Sequence, residues 1–180
     1  ETATVVNGWA VYAPTFKAST GTETTSGFSQ LVNEFNRDYE LAKNAKLGIP
    51  IGKQSLGIQM PEYLEARNSA ISFDLLRQSV LALKQYYNGN AFVIASEGVG
   101  FDDYLIHLER SELNETINGN FDAILAKIDS FSGSMEDEMT ANSQGLDELY
   151  TRMQGQVVSI KTDMTSAFGV LITYHDNDGD

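Results

Sequence analysis

At 180 residues, 42% hydrophobic and 21% charged, the chain is sized and composed for one well-buried core rather than for disorder. Its formal charge of −13 disfavours a nucleic-acid or anionic-membrane partner, because both need a surplus of Lys and Arg. It contains no cysteine, which excludes disulfides, thiolate metal sites, iron–sulfur clusters and a cysteine nucleophile.

Residues 1–27 are rich in Thr, Ser, Gly and small apolar residues and lack helical periodicity. They read as an irregular arm or linker anchored by Trp9, Tyr12 and Phe16. Ser26 offers a helix N-cap, after which Phe28, Leu31, Val32, Phe35, Tyr39, Ala42 and Ala45 recur at three- and four-residue steps. That helix is expected to end near Lys46, with Gly48 closing its last turn. A second helical region is expected from Pro61 to Tyr87, interrupted around Asn68 and Ser69, with its clearest apolar stripe at Phe73, Leu76, Val80, Leu83 and Tyr87. Residues 91–96, AFVIAS, fit a buried strand or, with no partner strand evident in the sequence, a loop or short helix, which is the preferred reading; a helical turn over 101–108 follows. Two further long helices are expected over 111–131 and 143–168. Four amphipathic segments joined by modest loops predict an all-α, antiparallel four-helix-bundle-like domain with an irregular N-terminal arm. No stretch approaches the roughly 18 apolar residues of a membrane-spanning helix. The chain opens on Glu1 with neither Met nor a signal peptide, and the expectation is that its natural N-terminus has been removed or lies upstream.

Residues 48–55, GIPIGKQS, come close to the phosphate-loop pattern G-x-x-x-x-G-K-[ST]. The pattern fails on context: the stretch follows a helix, Pro50 lacks an amide hydrogen, the spacing is one residue short, and Gln54 replaces the hydroxyl. Gly48 and Gly52 read instead as a helix stop and a turn. Lys43, Lys46 and Lys53 still gather positive charge there, a candidate anion or interface contact. Asp103 and His107, at i and i+4, are the candidate pair of metal ligands, against a plain surface hydrogen bond. Glu97, Asp102 and Asp103 flank two glycines in EGVGFDD, where Asp102 suits a helix cap and Asp103 the positive end of the dipole. Asp176, Asp178 and Asp180 alternate in the tail HDNDGD, which lacks the remaining ligands of a calcium loop and reads as a solvated acidic tail. No G-x-S-x-G or H-E-x-x-H is present.

Several strings fall together in order: LVNEFNRDYELAKNAKLGIPIGKQSLG at 31–57, PEYLEARNSAISFDLL at 61–76, GFDDYL at 100–105, FDAILAKI at 121–128 and KTDMTSAFGVLITYHDNDGD at the end. Over residues 28–180 the chain resembles the C-terminal half of imelysin-like proteins, also called peptidase M75. Gly48, Pro50, Gly52, Glu65, Arg67, Asp102 and Asp103 are the positions that mark the resemblance. It implies a helical bundle exported to the bacterial envelope, periplasmic or anchored to the outer membrane, within a family that includes iron-regulated proteins and is linked to iron uptake. The family's metal motif, G-x-H-x-x-E, belongs to its N-terminal half and does not occur here, since His107 is followed three residues later by Arg110. The resemblance therefore implies that iron or zinc, if bound, is held in the complete protein by an N-terminal half that is also the expected partner. Three readings remain open at this point: a non-catalytic module of an iron-linked envelope protein, part of an M75-type metallopeptidase, and a plain interaction scaffold. Trp9, Tyr12 and Phe16 are candidate contacts to the missing half.

Overall fold

The Ser26 hydroxyl accepts a bond from the amide of Ser29 at 3.1 Å and starts the first helix, α1 (Gly27–Lys43), as its position in the sequence requires. In this computed structural model, which describes residues 14–90 and 98–174, α1 is followed by α2 (Ser72–Tyr87), α3 (Phe101–His107), α4 (Ser111–Asp129), α5 (Met135–Ala141), α6 (Ser143–Val157) and α7 (Thr165–Phe168). No strand occurs among the described residues, and residues 14–18 of the arm are helical. Trp9, Tyr12, the AFVIAS stretch, Glu97 and the tail residues His175, Asp176, Asp178 and Asp180 lie outside the described residues.

Two of the four long rods contain a wider helical segment. Asn44–Gly48 extends α1, and Val158–Met164 joins α6 to α7 so that 143–168 run as one rod, as the periodicity predicts. Cross-links fix the rods as antiparallel neighbours. Between α2 and α4, Arg77 pairs with Asp129, Lys84 with Asp122, and Tyr87 donates to Asn114, so one number rises as the other falls. Lys127 with Glu148 and Gln156 with the carbonyl of Ile117 set the same sense between α4 and α6. Tyr39 donates to the carbonyl of Met153 across the α1–α6 seam. The centre is filled by Val32, Tyr39, Leu76, Val80, Ile117, Phe121, Ile124, Leu149 and Met153, each fully buried. Burial of each such aliphatic or aromatic side chain is worth about 1.5–3 kcal/mol, and this central layer dominates the stability.

The two ends of the bundle are closed differently. At one end Phe28, Phe101, Tyr104 and Phe168 form an aromatic cluster, with Phe28–Tyr104 centroids 5.2 Å apart at 86° and Tyr104–Phe168 5.0 Å apart. Phe16 sits over the first turn of α1: a β-carbon at Gly27 would stand 2.5 Å from its ring. At the other end, residues 49–71 cross the bundle. The α-helix expected from Pro61 starts only at Ser72, because Ala66 and Ala70 adopt left-handed backbone angles (φ 53° and 57°) that no α-helix continues. Single 3₁₀ turns at Pro61–Tyr63 and Arg67–Ser69 take its place. Helix α5 is an addition to the predicted elements. Ser134 and Asp137 cap it reciprocally, with Ser134 Oγ accepting from Asp137 N and Asp137 Oδ2 accepting from Ser134 N, both at 3.2 Å.

The GIPIGKQS stretch is a self-bonded coil. The amides of Ile51, Gly52 and Lys53 donate to the carbonyls of Leu47, Ile49 and Gly48 at 3.1, 3.0 and 2.9 Å. A phosphate cradle needs such amides free, so the loop's own hydrogen bonds account for its failure as a nucleotide motif. Gly52 has φ 89°, and a β-carbon there would lie 2.7 Å from the carbonyl oxygen of Ile58. Gly48 ends the first rod as expected, yet the reason for glycine is steric: a β-carbon would stand 2.9 Å from Tyr150 Cε2.

Gly52→Ala, strained in both angle and space, is expected to lower unfolding free energy by about 2 kcal/mol or more. Gly119→Ala, in open space on the exposed face of α4, is expected to raise it by about 0.5–1 kcal/mol. Urea denaturation of the two variants against the parent checks both signs.

Candidate functional site: the two flanks of the first helix

Helix α1 presents a polar stripe as well as an apolar one. Ser29, Asn33, Asn36, Glu40 and Lys43 recur at steps of four and three, and all are buried. A polar group out of water needs a partner, and most of this stripe finds one on α6, on the segment after it, or on the residues beyond α7. Asn33 acts as an extended-chain partner for the tail: its Nδ2 donates to Leu171 O at 3.0 Å and its Oδ1 accepts from Thr173 N at 2.7 Å. Glu40 Oε1 accepts from Tyr174 Oη at 2.7 Å and from Lys161 Nζ at 2.9 Å. Lys161 lies in the widened segment Val158–Met164, and its Nζ also lies 5.2 Å from the centre of the Tyr174 ring. Lys43 Nζ donates to Gln154 Oε1 at 2.5 Å. The sequence signal for this seam was present, as polar residues in a 4–3–4–3 pattern beside the apolar face, and an apolar-only reading of periodicity passes over it.

Of the three lysines expected to gather positive charge, Lys43 and Lys53 meet over one ring and Lys46 stands apart. Lys43 is buried in the seam, where its Nζ stands 5.3 Å from the centre of the Tyr150 ring. Lys53 reaches the same ring at 5.4 Å and pairs with Asp147 at 2.8 Å. Lys46 points to the opposite flank of α1 and pairs with Glu65. Arg67 forks onto Glu136 at 2.8 and 2.5 Å, and this bond holds the Glu136 carboxyl below its usual range. The 49–71 crossing is thus fastened to α5 by Arg67 and by Gln59, whose side chain donates to Met139 O, to α6 by Lys53, and to the end of the first rod by the Glu65–Lys46 pair.

Asp103 and His107 share α3. Asp103 Oδ2 accepts from the amide of Gly100 at 3.0 Å, capping the helix, and the His107 ring stacks at 17° to that of Tyr104 with centroids 6.3 Å apart. No group of three His, Asp or Glu side chains is placed to hold a metal ion among the described residues. The capping residue is therefore Asp103, with Gly100 at the cap position, where Asp102 was expected. Asp102 Oδ1 is buried with no hydrogen-bond partner. Burial raises the Asp102 carboxyl pKa, against a lowering bond from the Asp103 amide.

Among the described residues the remaining flank of α1 is uncovered. A groove of about 750 Å³ runs between α1 and α2. Ala42, Ala45 and Ala82 make a low floor, while Leu41, Tyr63 and Tyr86 form its sides and are 59%, 59% and 46% exposed. The Lys46–Glu65 pair borders the groove, along with Glu34 and Asp38. Glu34 is paired with Arg37 at 2.5 Å, whereas Asp38 has no ion pair among the described residues. Burial, and secondarily the charge of Asp38, raise the Tyr86 hydroxyl pKa. The groove can hold an apolar body and present one uncompensated carboxylate to it. No described helix is long and apolar enough to cross a membrane.

Compared with models of protein families, the chain matches Imelysin, peptidase M75, over residues 1–162. No curated protein and no solved structure matches. The match takes in the arm, α1 to α6 and most of the Val158–Met164 segment, and stops short of α7 and the tail docked on Asn33 and Glu40.

Glu40→Ala removes the carboxylate shared by Lys161 and Tyr174 and is expected to cost about 2–3 kcal/mol, while an added Lys161→Met recovers more than half of it, read by urea denaturation. For Asp102 the folded pKa lies above the unfolded one, so ionisation opposes folding at neutral pH. Asp102→Asn is therefore expected to raise the melting temperature at pH 7. That gain should shrink as pH falls through the raised carboxyl pKa, where the parent is itself protonated.

Proposed function

Because this chain belongs to the Imelysin family, we propose that it is a non-catalytic helical module of an imelysin-type protein of the bacterial envelope, periplasmic or anchored to the outer membrane. Its task in that setting is to support iron uptake or metal binding carried out with a companion imelysin half bearing the G-x-H-x-x-E motif. The observation that carries this reading is the family match across residues 1–162. It is supported by the use of the two candidate ligands, Asp103 on the cap of α3 and His107 on the ring of Tyr104. It is supported further by the engagement of the charged marker residues Glu65 and Arg67 in ion pairs with Lys46 and Glu136.

Calorimetric titration of Fe²⁺ and Zn²⁺ into this chain, alone and mixed with an imelysin half carrying G-x-H-x-x-E, tests the proposal. The expected result is one saturable site in the mixture and none in this chain by itself. A saturable site in the isolated chain that is lost in His107→Ala would overturn the division of labour. Silence in both titrations would leave only a scaffold role.

A further inference from the structure

Of the three flanks of α1, one is buried in the core, one is sealed by the polar seam, and one is the open groove against α2. The groove side of α1 repeats at Glu34, Asp38, Leu41 and Ala45, again in steps of four, three and four. From Glu34 to Ala45 it covers about 16 Å, or roughly three helical turns. Alanines at 42, 45 and 82 keep its floor low, so that another backbone can approach closely, and Leu41, Tyr63 and Tyr86 stand beside it substantially exposed. An elongated trough with large apolar side chains along its edges suits an amphipathic helix laid lengthwise, with anchors at i, i+3 or i+4 and i+7.

The charge pattern selects which helix. Lys46 is neutralised by Glu65 and Glu34 by Arg37, leaving Asp38 as the charge on the groove without an ion pair among the described residues, near Tyr86. The protein as a whole carries −13. A second copy would bring the same net negative charge to a groove whose one charge without an ion pair among the described residues is the Asp38 carboxylate, so self-association is disfavoured electrostatically. We propose that the α1–α2 groove is a docking site for an amphipathic helix of another polypeptide, apolar on the face that enters the groove and carrying a Lys or Arg placed to meet Asp38. This inference stands on the groove alone and does not depend on the metal-linked reading above.

The test uses the full 180-residue chain and three fluorescent 18-residue helical probes. One has a Leu/Ala stripe at helical spacing flanked by Lys, one has Glu in place of Lys, and one is a scramble of the first. Anisotropy is expected to show the Lys probe binding at least about 10-fold more tightly than the other two, with affinity falling as salt rises. Asp38→Lys should invert the preference between the Lys and Glu probes. Ala45→Trp, which fills the floor, should abolish binding of the Lys probe. Leu41→Glu, at a position already 59% exposed and so unable to unfold the core, should weaken it by about 10-fold or more. Circular dichroism confirms that each variant is folded. Equal binding of the scrambled probe, or unchanged binding in both Ala45→Trp and Leu41→Glu, overturns the proposal. So does sedimentation showing a dimer of the parent that Leu41→Glu dissociates, since the groove's occupant would then be a second copy.

Discussion

The bond from Lys161 and Tyr174 to one oxygen of Glu40 is the constraint around which this bundle is arranged. A carboxylate buried to this degree cannot stand alone, because the cost of stripping its water is several kcal/mol unless charge and hydrogen bonds replace it. Its partners come from the last rod and from the segment beyond it, so satisfying Glu40 draws residues over 100 positions apart into one seam. Asn33 above it and Lys43 below it repeat the logic, each polar atom answered by backbone or side chain from the same rod and tail. The widened helical segment Val158–Met164 carries Lys161 within this seam, in keeping with the tendency of such widenings to occur where a helix has a specific task. Hydrophobic burial supplies most of the stability, while the polar seam helps choose the register in which α1 and α6 lie.

A helix committed on two flanks leaves the third to be treated differently. Against α2, small residues stand where a close-packed seam would need large ones, and the result is a groove. The lysines of the 43–53 region divide along the same line. Lys43 and Lys53 flank Tyr150 and bind the crossing loop to α6, whereas Lys46 with Glu65 borders the groove. The positive charge that reads as one cluster in sequence is therefore split two to one: Lys43 and Lys53 converge on the Tyr150 ring, and Lys46 turns to Glu65.

Much of the fold was legible. The apolar steps along 28–45, 111–131 and 143–168 correspond to α1, α4 and the long final rod, since an amphipathic helix writes its period directly into the chain. Ser26 served as the expected cap. The α-helical start at Pro61 was not legible, because the left-handed angles at Ala66 and Ala70 belong to alanines, which give no warning of them. Helix α5 was hidden by its length: only Met135 and Met139 bury apolar side chains within it, too few to show a period. Asp103 rather than Asp102 supplies the cap, because which carboxylate reaches the Gly100 amide depends on where the helix begins by a single residue.

Legible in the chain alone are the class of fold, the number of long rods, the failure of GIPIGKQS as a phosphate loop, and the resemblance to the imelysin family, read over residues 28–180 and supported by the family match over 28–162 of them. These rest on local quantities: periodicity, amide count, the order of short strings. That Gly48 makes room for Tyr150, that a polar stripe on α1 is buried, and that the described residues leave a groove beside Asp38 emerge from the packing of the helices. Each of those depends on which distant residue arrives opposite a given position, and a burial or a vacancy between two helices has no signature in either helix alone.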